Sequence, residues 1–318
     1  MRIIICTDAN NQAVATLVRR TLALVDERPG LEVVGFMTTR PHAFTSTRVR
    51  EARRWARRVA VAAVDPSTRA VWSALTRRTR IDLFGLARAR RVPVLVPPTG
   101  DPSDPDFVTT LVERLGPDVA LSYYCGRIWR ASLLDALPQA VNYHDGTVPE
   151  YRGVGATSFS IYDGAPESGF TFHRMTIGID EGPVLVAGAV PVGDQALAAI
   201  DRRKVEAAAD ALPRVLDRIV TADPGTPQVG SGGYHSARDV LACIHVTHPD
   251  AVSAEELGRR VRAFGTVHLT IDGERWPVTR VREGRHGPLA FRVADGRWMS
   301  ADRVRGLPPR FGGPPFAA

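Results

Sequence analysis

The chain has 318 residues, of which 44% are hydrophobic and 24% are charged. That length predicts about two domains and is enough to bury a sizeable core. No apolar run reaches the roughly 18 residues of a membrane-spanning helix, and the N-terminus turns polar too early for a secretory signal. These features exclude an integral membrane protein and predict a globular one, with a cytoplasmic enzyme as the default.

The net charge of +7 would favour an anionic partner through long-range attraction. However, Lys204 is the only lysine and the other basic side chains are all arginine, a bias typical of genome composition. The charge is therefore weak evidence for nucleic acid. The three cysteines, Cys6, Cys125 and Cys243, lie far apart and lack the spacing of a metal site or a disulfide framework. We expect core thiols and no bound metal.

Apolar runs alternate with helically spaced stretches through the first half of the chain. Strands are predicted, in chain order, over 2–6, 31–37, 92–96, 119–122 and 140–143, with helices over 13–25 and 107–115. This alternation predicts an α/β fold with a mostly parallel sheet covered by helices on both faces. In such folds ligands bind beyond the carboxyl ends of the strands. No GxGxxG follows the first strand and no GxxxxGKS/T loop occurs, so neither nucleotide-binding signature is present.

An arginine-rich insert at about 40–80 interrupts this alternation. Its spacing predicts one or two amphipathic helices. We favour the interpretation that these helices cover the sheet and face solvent. The alternative is that the insert binds an anion or a partner.

The second half of the chain predicts a change of architecture. Strands are predicted over 169–175 and 184–190 and a helix over 199–220, after which 221–239 is rich in Gly, Pro and Ser, as linkers are. A helix near 254–262 and strand-like runs near 267–271, 276–281, 289–293 and 297–300 predict a smaller β-rich C-terminal domain. In this part we favour core packing over an acceptor site for Tyr234 and Trp276.

Two polar clusters follow buried strands. In "VNYHDGTVPEYRG" (141–153), Asn142 and His144 are two residues apart and therefore point to the same side of an extended segment. The later segment "GFTFHRMTIGIDEGPVL" (169–185) brings His173 and Asp180 back within the same domain. Each residue alone is more often structural than catalytic, but the combination favours a catalytic site.

An amide, an imidazole and a carboxylate suit acyl transfer to an amine. Asn142 and a protonated His144 can donate hydrogen bonds to the oxygen of a formyl group as negative charge grows on it. Asp180 can favour the imidazolium or take the amine proton, directly or through water. No nucleophilic Ser or Cys is needed, and no GxSxG elbow occurs.

At these motifs the chain resembles the folate-dependent formyltransferases, which include glycinamide ribonucleotide transformylase, methionyl-tRNA formyltransferase and the sugar N-formyltransferases. That family carries Asn-x-His-x-Ser-Leu-Leu-Pro-x-Tyr/Phe-x-Gly, and later Gly-x-Thr-x-His followed by an Asp-x-Gly turn. The matching residues are Asn142, His144, Pro149, Tyr151, Gly153, Gly169, Thr171, His173, Asp180 and Gly182. Ser-Leu-Leu is replaced by Gly146-Thr147-Val148 and Asp145 adds a carboxylate, which puts the acceptor in question rather than the reaction.

The resemblance implies a Rossmann-like formyltransferase catalytic domain over 1–205, a helix end and linker over 206–235, and the small domain over 236–318. It implies 10-formyltetrahydrofolate as formyl donor, released as tetrahydrofolate, and Asn142, His144 and Asp180 as the catalytic residues. By the same resemblance the cofactor-binding residues are Cys125, Gly126, Arg127, Ile128, Trp129, His173 and Ile179. For Ile128 and Trp129, core packing is the alternative.

Three functions remain open at this stage. We favour transfer of the formyl group to an amine or hydroxylamine of a small metabolite in specialised metabolism, such as a nucleotide-linked amino sugar, a hydroxylated ornithine-type amine or a carrier-bound aminoacyl group. The alternatives are formylation of methionyl-tRNA and a catalytically silent folate-binding protein. The sequence leaves the oligomeric state unknown.

Overall fold

The computed structural model describes residues 1–44, 80–286 and 289–303. Most of the arginine-rich insert and the C-terminal tail lie outside the described residues. The chain forms two compact units. The first comprises Met1–His144, Thr171–Val186 and Val205–Gln228, and the second comprises Asp145–Phe170, Ala187–Lys204 and the described part of Val229–Ala318.

The strands follow the predicted order closely. They are β1 (Arg2–Cys6), β2 (Glu32–Met37), β3 (Val94–Leu95), β4 (Val119–Tyr123), β5 (Gln139–His144), β6 (Tyr151–Gly153), β7 (Glu167–Arg174), β8 (Val184–Pro191), β9 (Gly233–His235), β10 (His245–Val246), β11 (Val267–Ile271), β12 (Glu274–Glu283), β13 (Leu289–Arg292) and β14 (Trp298–Arg303). The helices of the described chain are α1 (Gln12–Asp26), α2 (Leu83–Arg90), α3 (Pro105–Leu115), α4 (Ala131–Leu134), α5 (Ala156–Tyr162), α6 (Leu197–Val220), α7 (Ala237–Ile244) and α8 (Ala254–Phe264).

The larger sheet has the order β3-β2-β1-β4-β5-β7-β8. The pairs from β3 to β5 are parallel, and β7 pairs with β5 in the antiparallel direction. The central strand β1 is a β-branched run whose residues from Ile3 onward are fully buried, as expected for a strand covered on both faces. The predicted α/β fold with a mostly parallel sheet is thus confirmed.

The smaller sheet has the order β10-β11-β12-β14-β13 and packs its own apolar core with α8. This confirms the predicted β-rich C-terminal part. Trp276 packs against that core, as expected, whereas Tyr234 is half exposed, so the prediction of core packing for Tyr234 was wrong. Tyr234 lies on β9 in a two-stranded sheet with β6, so a single neighbouring strand is available to cover it.

The segment predicted as a linker is partly ordered by pairing. Its strand β9 runs parallel to β6, and α7 begins within it at Ala237 behind a capping box formed by Ser236 and Asp239. The domain boundaries derived from the sequence stay a prediction. Among the described residues, no helix combines the length and the apolar character needed to cross a membrane.

Candidate active site

Asn142 and His144 lie at the carboxyl end of β5. Antiparallel pairing with β7 sets Asn142 directly opposite His173, and His144 opposite Thr171. Directly opposed residues of an antiparallel pair are close enough for their side chains to interact. The sheet register therefore brings His173 to Asn142 without any help from a loop.

Asp180 reaches the same place from the turn between β7 and β8. Its Oδ2 lies 3.4 Å from Nδ1 of His144, and its Oδ1 lies 3.3 Å from Nε2 of His173. The Asn142 amide nitrogen lies 3.4 Å from Oδ1 of Asp180 and 3.3 Å from Nε2 of His173. Both imidazoles are buried, so the structure assembles the three predicted catalytic residues and His173 into one polar cluster.

The backbone at Asp180 is unusual for a residue with a side chain. Its φ of 55° lies in the left-handed region, which Asp tolerates better than most residues. Two residues later, a Cβ on Gly182 would come within 1.7 Å of the Arg174 carbonyl oxygen, so only glycine fits there. Arg174 pairs with Val141, yet Asp180 contacts His144, which shows that the turn folds back toward the strand end.

Hydrogen-bond chemistry fixes part of the protonation pattern. Nδ1 of His173 lies 2.8 Å from the Arg174 carbonyl oxygen, which can only accept, so Nδ1 carries a proton. The Asn142 amide nitrogen must face the Asp180 carboxylate, because the amide oxygen would repel it. With Nδ1 of His144 turned to Asp180, Nε2 of His144 is directed away from the carboxylate.

The loop predicted to hold the cofactor begins after β4. Arg127 and Ile128 are exposed, Ile128 by 62%, whereas Trp129 is buried in the core cluster beneath the sheet. Core packing, the alternative considered for both residues, is therefore correct for Trp129 and wrong for Ile128. Burial raises the pKa of the Cys125 thiol far above its ordinary value, with the Asp8 carboxylate adding to the shift, so Cys125 has the character of a structural thiol.

Asp8 is a functional candidate that the sequence analysis missed. Its buried carboxylate accepts from the backbone nitrogens of Thr39 (2.6 Å) and Gly126 (2.8 Å) and from the hydroxyls of Thr38 (3.1 Å) and Thr39 (2.8 Å). It therefore ties the loop at Gly126 to the ends of β1 and β2. The strand-end rule that singled out Asn142 also applies to Asp8, two residues after the end of β1, and could have found it.

Apolar side chains are exposed on the loops of this unit. Besides Ile128, Ile179 is 36% exposed and Ile177, which was not predicted, is 72% exposed. Exposed isoleucines in one unit with a buried polar cluster are typical of a ligand site, which combines apolar walls with a few polar groups. Ile179 directly precedes Asp180, so a ligand at that isoleucine would border the cluster.

Residues 99–216 match the family described as formyl transferase. The chain is 30% identical over 153 residues to a methionyl-tRNA formyltransferase from Janthinobacterium sp. (strain Marseille), covering 46% of each protein. It is 30% identical over 172 residues to a GDP-perosamine N-formyltransferase from Brucella melitensis biotype 1, covering 52% of this chain and 65% of the relative. The chain thus spans about half to two thirds of the length of these curated relatives.

The fold also matches solved structures. WlaRD, a sugar 3N-formyl transferase crystallised in the presence of dTDP and 5-N-formyl-THF, superimposes with a TM-score of 0.58 at 15% identity, over 96% of this chain and 99% of that one. At this identity the likeness concerns the fold alone. The region that matches the family includes Asn142, His144, His173 and Asp180 and ends before the smaller sheet.

Proposed function

We propose that the chain, whose residues 99–216 match the formyl transferase family, is an N-formyltransferase that uses 10-formyltetrahydrofolate and an amine of a small metabolite. The observation that carries the proposal is the convergence of Asn142, His144 and Asp180 within 3.4 Å contacts, although they are spread over 38 residues of chain. Folate binding without turnover would not require that combination.

The residues present fit a folate as formyl donor. Its flat ring system needs apolar contact, which the exposed side chains of Ile128 and Ile179 offer, and polar edges that loop backbone groups can bind. We therefore propose Cys125, Gly126, Arg127, Ile128, His173 and Ile179 as the residues around the donor, and leave out Trp129 because it is buried in the core. The donor supplies the formyl carbon when bound.

The side chains of the cluster would stabilise charge on the formyl oxygen. The contacts from the Asn142 amide to His173 and Asp180 are long, at 3.3 and 3.4 Å, so one N–H can turn to a ligand oxygen at small cost. A protonated His144 donates through Nε2, since its Nδ1 faces Asp180. Two preorganised donors in a buried site are worth more than in water.

Asp180 has two roles in this proposal. Its carboxylate lies 3.4 Å from Nδ1 of His144 and would attract the positive charge of an imidazolium that donates to the oxygen. It also accepts the proton that the amine loses when its nitrogen bonds to the formyl carbon, directly or through a water. The bond between that carbon and the donor nitrogen would break in the same overall transfer, and the donor nitrogen would take up the proton that the amine lost, directly or through water.

We propose a small amine as acceptor because this chain departs from its family at Gly146-Thr147-Val148 and because one curated relative is named for an amino sugar. Specialised metabolism is part of the same proposal. Incubating the protein with 10-formyltetrahydrofolate and a panel of amines tests it. The panel should contain a nucleotide-linked amino sugar, a hydroxylated ornithine-type amine and a carrier-bound aminoacyl group. Tetrahydrofolate release that depends on one of these is expected, and release without any amine would indicate hydrolysis instead.

Methionyl-tRNA is the second candidate acceptor, and one feature of the second unit favours it. Cζ of Arg285, which lies in the loop after β12, is 3.7 Å from the centroid of the Trp298 ring on β14, and Cζ of Arg292 on β13 is 5.1 Å away. Both arginines are exposed, and arginine is a preferred side chain for binding the phosphates of nucleic acids. Binding through several phosphates weakens steeply as salt rises, so an affinity for tRNA that stays flat with salt would remove this candidate.

A further inference from the structure

The chain that follows α6 returns to the turn that carries Asp180. Val184 and Thr226 exchange both backbone hydrogen bonds at 2.8 Å, which adds a short strand-like segment to the edge at β8. The Arg174 guanidinium donates to the Asp223 carbonyl oxygen through Nη2 (2.5 Å) and Nε (3.1 Å). The segment 223–228 is therefore fixed against the β7–β8 hairpin at several points.

Gln228 ends this segment and bridges the turn. Its Nε2 donates to the carbonyl oxygens of Asp180 and Gly182, both at 2.8 Å. A carboxamide nitrogen carries two hydrogens, which match two acceptors. Both accepting residues are constrained, since Asp180 has a left-handed φ and Gly182 tolerates no Cβ. Gln228 thus holds the backbone of the residue whose carboxylate meets Asn142, His144 and His173.

We propose that Gln228 is a positioning residue that fixes the Asp180 turn so that the carboxylate stays beside His144, an inference that rests on the proposed function. It acts through the backbone of Asp180 and does not touch the reacting groups. The two hydrogen bonds fix the backbone on both sides of Glu181, immediately next to the residue that carries the carboxylate.

Gln228→Glu is the sharpest test because it keeps the shape of the side chain and replaces the donor group with an oxygen. That oxygen would face two carbonyl oxygens and repel them, so the turn would shift. We expect kcat to fall about tenfold to a hundredfold, as for a modest misplacement of a catalytic group, while the KM for the formyl donor changes little. Gln228→Met, which removes the donor without adding charge, should show the same loss.

The matched control is Gln12→Glu, at an exposed residue that starts α1.

A double substitution separates positioning from a general effect on the fold. If Gln228 acts through Asp180, then adding Gln228→Glu to Asp180→Asn should leave kcat within about twofold of the Asp180→Asn value. Losses that multiply would overturn the proposal, and so would full activity of both Gln228 variants. Asp180→Asn as active as the parent would instead contradict the proposed function.

Hydrogen exchange tests the same contact without relying on activity. Amides of the turn at 176–182 should exchange faster in Gln228→Glu than in the parent and in Gln12→Glu. Unchanged exchange would overturn the proposal for Gln228, whether or not the parent protein is active. A parent protein without activity would separately contradict the proposed function.

Discussion

Asp180 contacts every other member of the polar cluster: one nitrogen of each imidazole and the amide of Asn142. We expect Asp180→Asn to lower kcat for formyl transfer about a hundredfold, because an amide neither favours the imidazolium at His144 nor takes a proton. Steady-state kinetics with a responsive amine measures this, and a KM for the formyl donor close to the parent's shows that binding is intact. If donor binding were lost while kcat stayed unchanged, the proposed role of Asp180 in the chemical step would be wrong.

The thiol of Cys125 is not expected to take part in the reaction. Burial holds the pKa of Cys125 far above neutral pH, so little thiolate forms there. Cys125→Ser should keep kcat within about threefold of the parent, since the two side chains are of similar size. Slow alkylation of Cys125 by iodoacetamide at pH 7.5 would agree. A loss as large as that of Asp180→Asn would mean that the thiol does chemistry.

At the residue scale, the sequence predicts the members of the cluster better than their contacts. Asn142 and His144 follow from a polar strand end, and Asp180 follows from the second polar cluster, over 169–185. Their convergence depends on a turn that folds back over 175–183, which no local pattern encodes. Gln228 could not be predicted because it acts by donating hydrogen bonds to two carbonyl oxygens that are distant in sequence. Asp8 was not predicted because it is a single polar residue in an N-terminal loop.

The helix α6 carries a buried cation that the sequence analysis noted only for its rarity. Lys204 is almost fully buried, and its Nζ donates to the Asp145 carbonyl oxygen, the Thr157 hydroxyl and, at 3.4 Å, the Ser168 hydroxyl. Burial lowers the pKa of Lys204 below its ordinary value of 10.5, although the charges of Asp145 and Asp201 oppose the shift. Lys204 thus binds the residue that directly follows His144 in the chain.

This lowered pKa predicts how stability changes with pH. Between the lowered pKa and 10.5 the unfolded chain holds the lysine proton more tightly than the folded chain does, so the free energy of unfolding rises with pH through this window. Denaturant unfolding of the parent and of Lys204→Met at pH 7.5, 9 and 10 should show the parent gaining stability relative to the variant.

Arg202→Met is the matched control for that experiment. Arg202 lies on the same helix, is exposed, and stays charged across the range, so its difference from the parent should not change with pH. A gap between the parent and Lys204→Met that also stays constant would contradict a lowered pKa at Lys204.

At the scale of elements, periodicity predicts strands and helices to within about two residues where the apolar pattern is long, as at β1, α1 and α8. It fails where pairing decides the structure. β9 lies in a stretch that reads as linker and becomes a strand only because β6 is present to pair with it. The short β3 keeps two residues of a longer apolar run because only those pair with β2.

For the whole molecule, alternation of strands and helices was enough to predict the α/β class, and the composition after residue 236 was enough to predict a β-rich part. The acceptor was not predictable, because it depends on residues such as Asp145–Val148 that leave the family pattern. The chain spans 46% of one methionyl-tRNA relative and 65% of one amino-sugar relative, so the comparisons alone do not choose between acceptors.

The central claim is that Asn142 and His144 stabilise the formyl oxygen during transfer to an amine. Mass spectrometry of the formamide formed from 10-formyltetrahydrofolate and a responsive amine tests it most directly, in the parent protein and in Asn142→Ala and His144→Ala. We predict one formamide for each tetrahydrofolate released by the parent, and a loss of about a hundredfold or more in each variant. Formamide produced by both variants at the parent's rate, or by none of the three proteins with any amine, would contradict the account.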